Sequence, residues 1–189
     1  MITLLLGGAR SGKSAFAERM ALSDEEVTYL ATADAKDSEM VHRIAEHRRR
    51  RPASWSTWEG DAADLPGAVS SMRGTLLLDC LTLFLTRLFL SSGASESEDE
   101  AVWASAEREI LSSVEALFVN FSASRREKEP SHLIVVSNEV GLGLVPPYRM
   151  GRRFRDMQGR ANRMAAERAD RVALLVAGLP LWLKGGSGA

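Results

Sequence analysis

Apolar positions along the chain fall into two periods. Short, almost continuous apolar runs predict strands at Ile2–Leu6, Val27–Thr32, Ser54–Trp58, Thr75–Asp79, His132–Ser137 and Arg171–Ala177, with a further short strand at Leu181–Lys184. Apolar residues at helical spacing predict helices at Lys13–Leu22, Ser38–Arg50, Ala62–Met72, Leu81–Ser91, Glu100–Ser122 and Gly151–Ala169. Strand and helix alternate from one end to the other, which is the pattern of an α/β fold: a mostly parallel sheet covered by helices on both faces. The last short strand fits an antiparallel edge.

Two stretches read as connectors. Residues 92–99 are acidic and serine-rich, and predict a solvated excursion before a long helix. Residues 124–131 carry Arg125, Arg126, Lys128 and Pro130. No internal repeat is visible. Residues 1–184 therefore predict one domain, and residues 185–189 a flexible tail.

Composition narrows the function classes. The chain has 189 residues and a net charge of −1, so no overall basic field draws it to nucleic acid or to a membrane surface. Cys80 is the only cysteine, which excludes an internal disulfide and a cysteine-based zinc site and points to a reduced, cytoplasmic setting. The apolar start, Met1 to Leu6, lacks the basic region of a signal peptide. The longest greasy stretch, Leu81 to Leu90, is too short to cross a bilayer.

The chemistry starts at Gly7-Gly8-Ala9-Arg10-Ser11-Gly12-Lys13-Ser14, which satisfies G-x-x-x-x-G-K-S/T in full. A predicted strand precedes it and a predicted helix follows, as a phosphate loop requires. Glycines let successive N–H groups turn inward round the phosphates of a nucleoside triphosphate, and the helix N-terminus adds favourable partial charge. Lys13 is expected on the β- and γ-phosphates and Ser14 on Mg²⁺. Asp79, at the end of Thr75-Leu76-Leu77-Leu78, either caps the helix from Leu81 or acts on that metal; the phosphate loop favours the second.

A second constellation is more specific. Tyr29-Leu30-Ala31-Thr32 is followed by Asp37-Ser38-Glu39-Met40, by Arg43-Ile44 and His47, and by Arg51-Pro52. Later come Asn138-Glu139-Val140-Gly141-Leu142-Gly143-Leu144-Val145-Pro146, then Arg153-Phe154-Arg155-Asp156, Gly159-Arg160 and Asn162. With the phosphate loop, these segments closely resemble the bifunctional adenosylcobinamide kinase / adenosylcobinamide-phosphate guanylyltransferase family of cobalamin biosynthesis, from Leu4 to about Lys184. The resemblance implies a P-loop NTPase, RecA-like sheet and assembly as a trimer. It also implies ATP or GTP as phosphoryl donor to the aminopropanol hydroxyl of adenosylcobinamide, then guanylylation of an enzyme histidine by GTP and transfer of GMP to the new phosphate.

The histidine that matches the family's Arg-Ile-x-x-His spacing is His47. Met40, Ile44 and His47 also stand at i, i+4 and i+7, so His47 continues an apolar helix stripe. Imidazole titrates near neutrality, and the four arginines that follow disfavour its protonated form and attract a triphosphate. Relatives can carry two adjacent histidines here; this chain has Glu46 before His47, which removes an alternative nucleophile. Thr32, Ala33, Asp34, Arg48, Arg49, Arg50 and Arg51 are expected in the guanine-nucleotide pocket. Glu59 joins them, on the guanine N–H groups or on ribose. Asn138 and Glu139 open a glycine-rich loop that should face the same crevice. His42 and His132 read as structural. Two rival readings remain: a P-loop kinase of another small alcohol in which His47 is idle, and a non-catalytic nucleotide sensor or RecA-like nucleic-acid module. Intact Lys13, Ser14 and Asp79 argue against a dead pocket.

Overall fold

The computed structural model describes residues 1–33, 42, 45, 48–124 and 131–186. The chain begins with β1 (Ile2–Gly7), α1 (Lys13–Ala21), β2 (Val27–Ala31) and β3 (Ser56–Trp58). A 3-10 turn at Ala62–Asp64 leads into the one-turn helix α2 (Leu65–Ala68), then β4 (Thr75–Asp79), α3 (Leu81–Ser91) and the long α4 (Glu100–Ser124). The last third holds β5 (His132–Asn138), α5 (Arg149–Arg168), β6 (Arg171–Val176) and β7 (Leu179–Lys184).

Seven strands make one sheet in the order β3-β2-β4-β5-β1-β6-β7. All neighbours run parallel except β6 and β7, which are antiparallel. Strands in such a sheet are covered on both faces, which is why β1 reads as an unbroken apolar run and is buried along its whole length. The pleat divides its side chains. Ile2, Leu4 and Leu6 pack with Phe84 of α3, Phe118 and Phe121 of α4 and Met157 and Ala161 of α5. Leu5 packs on the other face with Ala17 and Ala21 of α1. Helices therefore lie on both faces, as the alternation predicts.

Three local expectations change. The helix expected at Ala62–Met72 is a 3-10 turn and a single α-turn. Pro66 starts that turn, Gly67 follows, and Ser70 and Ser71 donate back to the carbonyls of Gly67 (2.7 Å) and Ala68 (2.9 Å), competing with helix continuation. The segment at residues 92–99 is not simply solvated. Ala94 is fully buried, Trp103 Nε1 donates to Ser97 O (2.6 Å), and the Asp99 carboxylate accepts from the Ala101 N–H (2.8 Å) to cap α4. The greasy stretch Leu81–Leu90 is covered within the chain: Leu81, Phe84, Leu85 and Phe89 are buried, and only Leu90 is largely exposed. Uncovered apolar side chains gather instead at Leu142, Leu144 and Val145 after β5, and at Leu179, Leu181 and Leu183 on β7. Finally, β7 starts two residues earlier than its expected start at Leu181. Among the described residues no helix is long and apolar enough to cross a membrane. The expected helix at Ser38–Arg50 and the connector at residues 125–130 lie largely outside the described residues.

Candidate active site

The C-terminal ends of β1, β5 and β4 stand side by side, and each contributes to one crevice edge. At β1 the chain turns through Gly7 into the phosphate loop. A Cβ at Gly7 would stand 2.6 Å from Leu175 O and 2.7 Å from Ser11 Oγ, so only glycine fits. Gly12 has φ 93°, the left-handed region that glycine occupies freely, and from there α1 starts with Phe16 N–H bonded to Gly12 O (2.9 Å). The N-terminal end of α1 thus opens onto the loop. Lys13 is 6% exposed and its Nζ donates to Gly8 O (2.5 Å) and Ser11 Oγ (3.4 Å), which places the ammonium across the loop. Gly8, Ala9 and Arg10 are exposed, and Ser11 and Ser14 half-buried, at the same turn.

The loop is braced from β6 and β7. These strands meet in a two-residue hairpin, Ala177-Gly178, with φ 52° and 83°. Two left-handed residues in a two-residue connection make a type I′ turn. Its Gly178 N–H donates to Ser11 O (2.9 Å), and a Cβ on Gly12 would come within 3.0 Å of Gly178 Cα.

Asp79 ends β4, in register with Ala31 on one side and Val136 on the other. The N-cap of α3 is Cys80 and no side chain caps that helix, so Asp79 does not serve as the cap that its position also allowed. The Tyr29 phenol lies close enough to its carboxylate to feel the charge. Burial, and then the Asp79 charge, holds the Tyr29 phenol well above its usual range and neutral. The Arg51 guanidinium lies over the Tyr29 ring, 3.2 Å from its centroid. Thr32 is buried, and its hydroxyl both donates to Cys80 O (3.0 Å) and accepts from Cys80 N–H (2.8 Å), so it locks β2 to the end of β4. The Cys80 thiol is pushed up to about 12 by burial and the neighbouring Asp79 charge, and stays protonated and inert.

The arginine run reaches this same end. Arg48 pairs with Glu59, and Arg50 lies 3.7 Å from Glu18 on α1, the helix that the phosphate loop feeds. Arg49 is exposed and Ala33 half-buried. These pairs are too exposed to add much stability, so what they carry is placement. Asp34 and His47 lie outside the described residues. His132 is far from this edge at the start of β5. Its ring meets Thr3 Oγ1 (2.9 Å), and burial, helped by the N-terminal ammonium, lowers its pKa to about 4, in keeping with a structural part.

β5, between the loop strand and the Asp79 strand, brings in a polar cluster whose members sequence reasoning left out or only weighed. On α5, Gln158 and Asn162 are buried within the apolar stripe of Met157, Ala161 and Ala165. Ser137 Oγ donates to Asn162 Oδ1 (2.6 Å), and Gln158 Nε2 donates to Ser137 Oγ (3.0 Å) and Asn162 Oδ1 (2.9 Å). Asn162 Nδ2 then donates to Asn138 O (3.1 Å) and to Glu139 Oε1 (2.9 Å). The Glu139 N–H itself donates to Gly7 O (3.0 Å). Two amides four residues apart inside an apolar helix stripe were the available signal for this cluster.

Residues 3–183 match the family model described as cobinamide kinase / cobinamide phosphate guanyltransferase. The chain belongs to this family. It is 47% identical to the bifunctional adenosylcobalamin biosynthesis protein CobP of Pseudomonas aeruginosa, over 98% of both chains. It is 35% identical to the bifunctional adenosylcobalamin biosynthesis protein CobU of Escherichia coli K12, over 97% of this chain and all of that one. Among solved structures it is similar to an ATPase of a bacterial type III secretion system, with a TM-score of 0.57 at 13% identity. That likeness covers 92% of this chain and half the length of the ATPase, and bears on the fold alone, a mostly parallel sheet with helices.

Proposed function

We propose that this protein phosphorylates the aminopropanol hydroxyl of adenosylcobinamide with ATP or GTP, then transfers GMP from GTP through a GMP–histidine bond at His47 to yield adenosylcobinamide-GDP. The observation that carries the reading is the intact phosphate loop at the end of β1 in a chain that matches this family from residue 3 to 183. Gly7 to Ser14 cradle the phosphates, and Lys13 follows the transferring group with its charge. Thr32, Ala33, Asp34, Arg48 to Arg51 and Glu59 are assigned to the guanine nucleotide.

The residues present fit Mg²⁺. Among the described residues no cluster of three His, Cys, Asp or Glu could cage a metal. Mg²⁺ in triphosphate sites asks only for one or two protein oxygens, the rest coming from phosphates and water. The Ser14 hydroxyl and the Asp79 carboxylate would hold it, and when bound it neutralises phosphate charge. Tyr29, with Arg51 over its ring, lies beside the Asp79 carboxylate. We place the enzyme in the cytoplasm, in line with its single, buried thiol, and as the trimer that the resemblance implies, a state that light scattering reads directly.

The test is incubation with GTP labelled in its α-phosphate and Mg²⁺, followed by acid or base treatment. The label should stay on the protein in base and leave in acid, because a phosphoramidate departs once its nitrogen is protonated. His47→Ala should take up no label. A wild-type chain that phosphorylates the alcohol but never binds GMP would favour the reading as a simple small-alcohol kinase.

A further inference from the structure

The kinase half of the proposed function needs a group to take the proton from the attacking hydroxyl, and this deepens that reading. The sheet order narrows where the group must stand. β1 carries the phosphate loop and has two neighbours, β5 and β6. On the β6 side the hairpin tip at Gly178 is seated against Ser11 and Gly12, so that flank is closed. On the other flank lies β5, and beyond it β4 with Asp79. An alcohol that attacks the terminal phosphate between the loop and Asp79 therefore stands over the end of β5. The first carboxylate there is Glu139.

Glu139 is held as a base should be held. Its N–H is fixed to Gly7 O (3.0 Å), the residue that opens the phosphate loop. Its Oε1 accepts from Asn162 Nδ2 (2.9 Å). Asn162 has no freedom to turn: its Oδ1 accepts from Ser137 and Gln158, and its Nδ2 donates to Asn138 O as well as to Glu139. Three buried polar side chains thus aim one donor at one carboxylate oxygen. Among the described residues no donor reaches the second oxygen, and Glu139 is half-buried, so that oxygen is left to accept from a substrate. Asp79 is less suited, because its carboxylate is committed to Mg²⁺.

We propose that Glu139 is the general base of the alcohol phosphorylation, with Asn162 and Gln158 as the positioning residues that fix it. The alcohol oxygen forms a bond to the terminal phosphorus with its own electron pair. The bond from that phosphorus to the bridging oxygen breaks, and its pair leaves on the nucleoside diphosphate. The hydroxyl proton passes to the Glu139 carboxylate and from there to solvent. Guanylylation of a histidine involves no hydroxyl, so it does not call on Glu139.

The experiment compares Glu139→Gln with the wild type in two assays: steady-state phosphorylation of adenosylcobinamide, and single-turnover labelling of the protein by GTP. Loss of one general base should lower kcat of phosphorylation by about 10²- to 10³-fold, with KM for the nucleotide and the GMP-labelling rate within a few-fold of the wild type. Glu139→Asp should recover part of the lost rate. Asn162→Ala should lower kcat for phosphorylation by about tenfold while labelling persists, a split that a merely structural role would not produce. Phosphorylation by Glu139→Gln within threefold of the wild type would overturn the assignment. Parallel loss of both activities in Glu139→Gln would overturn it too, because the carboxylate would then serve the fold, the nucleotide or its metal. A wild type inactive in both assays would instead sink the proposed function itself.

Discussion

Single side chains in this protein divide between those that react and those that hold, and type alone does not sort them. His132 is a histidine whose burial lowers its pKa to about 4, against 6.5 for an ordinary imidazole. A base with a depressed pKa is neutral in the folded chain while the unfolded chain takes up a proton. Stability is therefore full above pH 6.5 and falls as pH drops from 6.5 to about 4, on the order of 2 kcal/mol once solvent screening is allowed for. Urea unfolding across that window should show this slope, and His132→Gln should flatten the difference. The sequence reads His132 as structural because it opens a strand, and it does open β5, away from the strand ends where ligands sit. Thr32 was harder. Its position after β2 suggested nucleotide; its hydroxyl is also engaged on both sides by Cys80, a pairing that only the register of β2 against β4 creates. Asn162 and Gln158 were least legible, since in one dimension they are polar residues on a polar-rich helix, and their meaning comes from which face is buried.

Among elements, the strands were readable because continuous apolar runs are required when both faces are covered. Boundaries failed where backbone chemistry outweighed the pattern, as at Pro66 and Gly67, which cut the helix expected over residues 62–72. The antiparallel edge strand was expected, but the two-residue turn before it was not, because Ala177-Gly178 does not announce a type I′ turn as Asn-Gly does. Ala177 sits at φ 52°, a conformation that alanine reaches only at a cost and asparagine tolerates. Ala177→Asn should therefore stabilise the protein by about 0.5–1 kcal/mol. A thermal melt that shows a lower midpoint for this variant would contradict the turn assignment. Nucleotide KM should be unchanged, because the contact to Ser11 comes from the N–H of the next residue.

At the scale of the molecule, the phosphate loop is held by the sheet as well as by its own helix, and ligand there should stiffen the whole. Mg²⁺–GTP at one hundred times its Kd adds about 2.7 kcal/mol of stability to a folded state that alone binds it. For a chain of this length that corresponds to a rise of roughly 5–10 °C in Tm. Lys13→Ala should melt near the wild type without ligand and lose most of the ligand-induced rise, and an undiminished rise would show that the triphosphate binds elsewhere. The same sheet order has a consequence for how the chain comes into being. β1 is made first, yet its two partners, β5 and β6, begin at His132 and Arg171, and its brace at Gly178 comes later still. As the ribosome delivers the chain, Ile2 to Leu6 wait as an unpaired, aggregation-prone strand until most of the molecule exists. A nascent chain halted before Arg171 carries every residue of the phosphate loop and none of its support on that side. The nucleotide grip is thus completed late, once the Ala177-Gly178 hairpin has emerged to seat against Ser11 and Gly12.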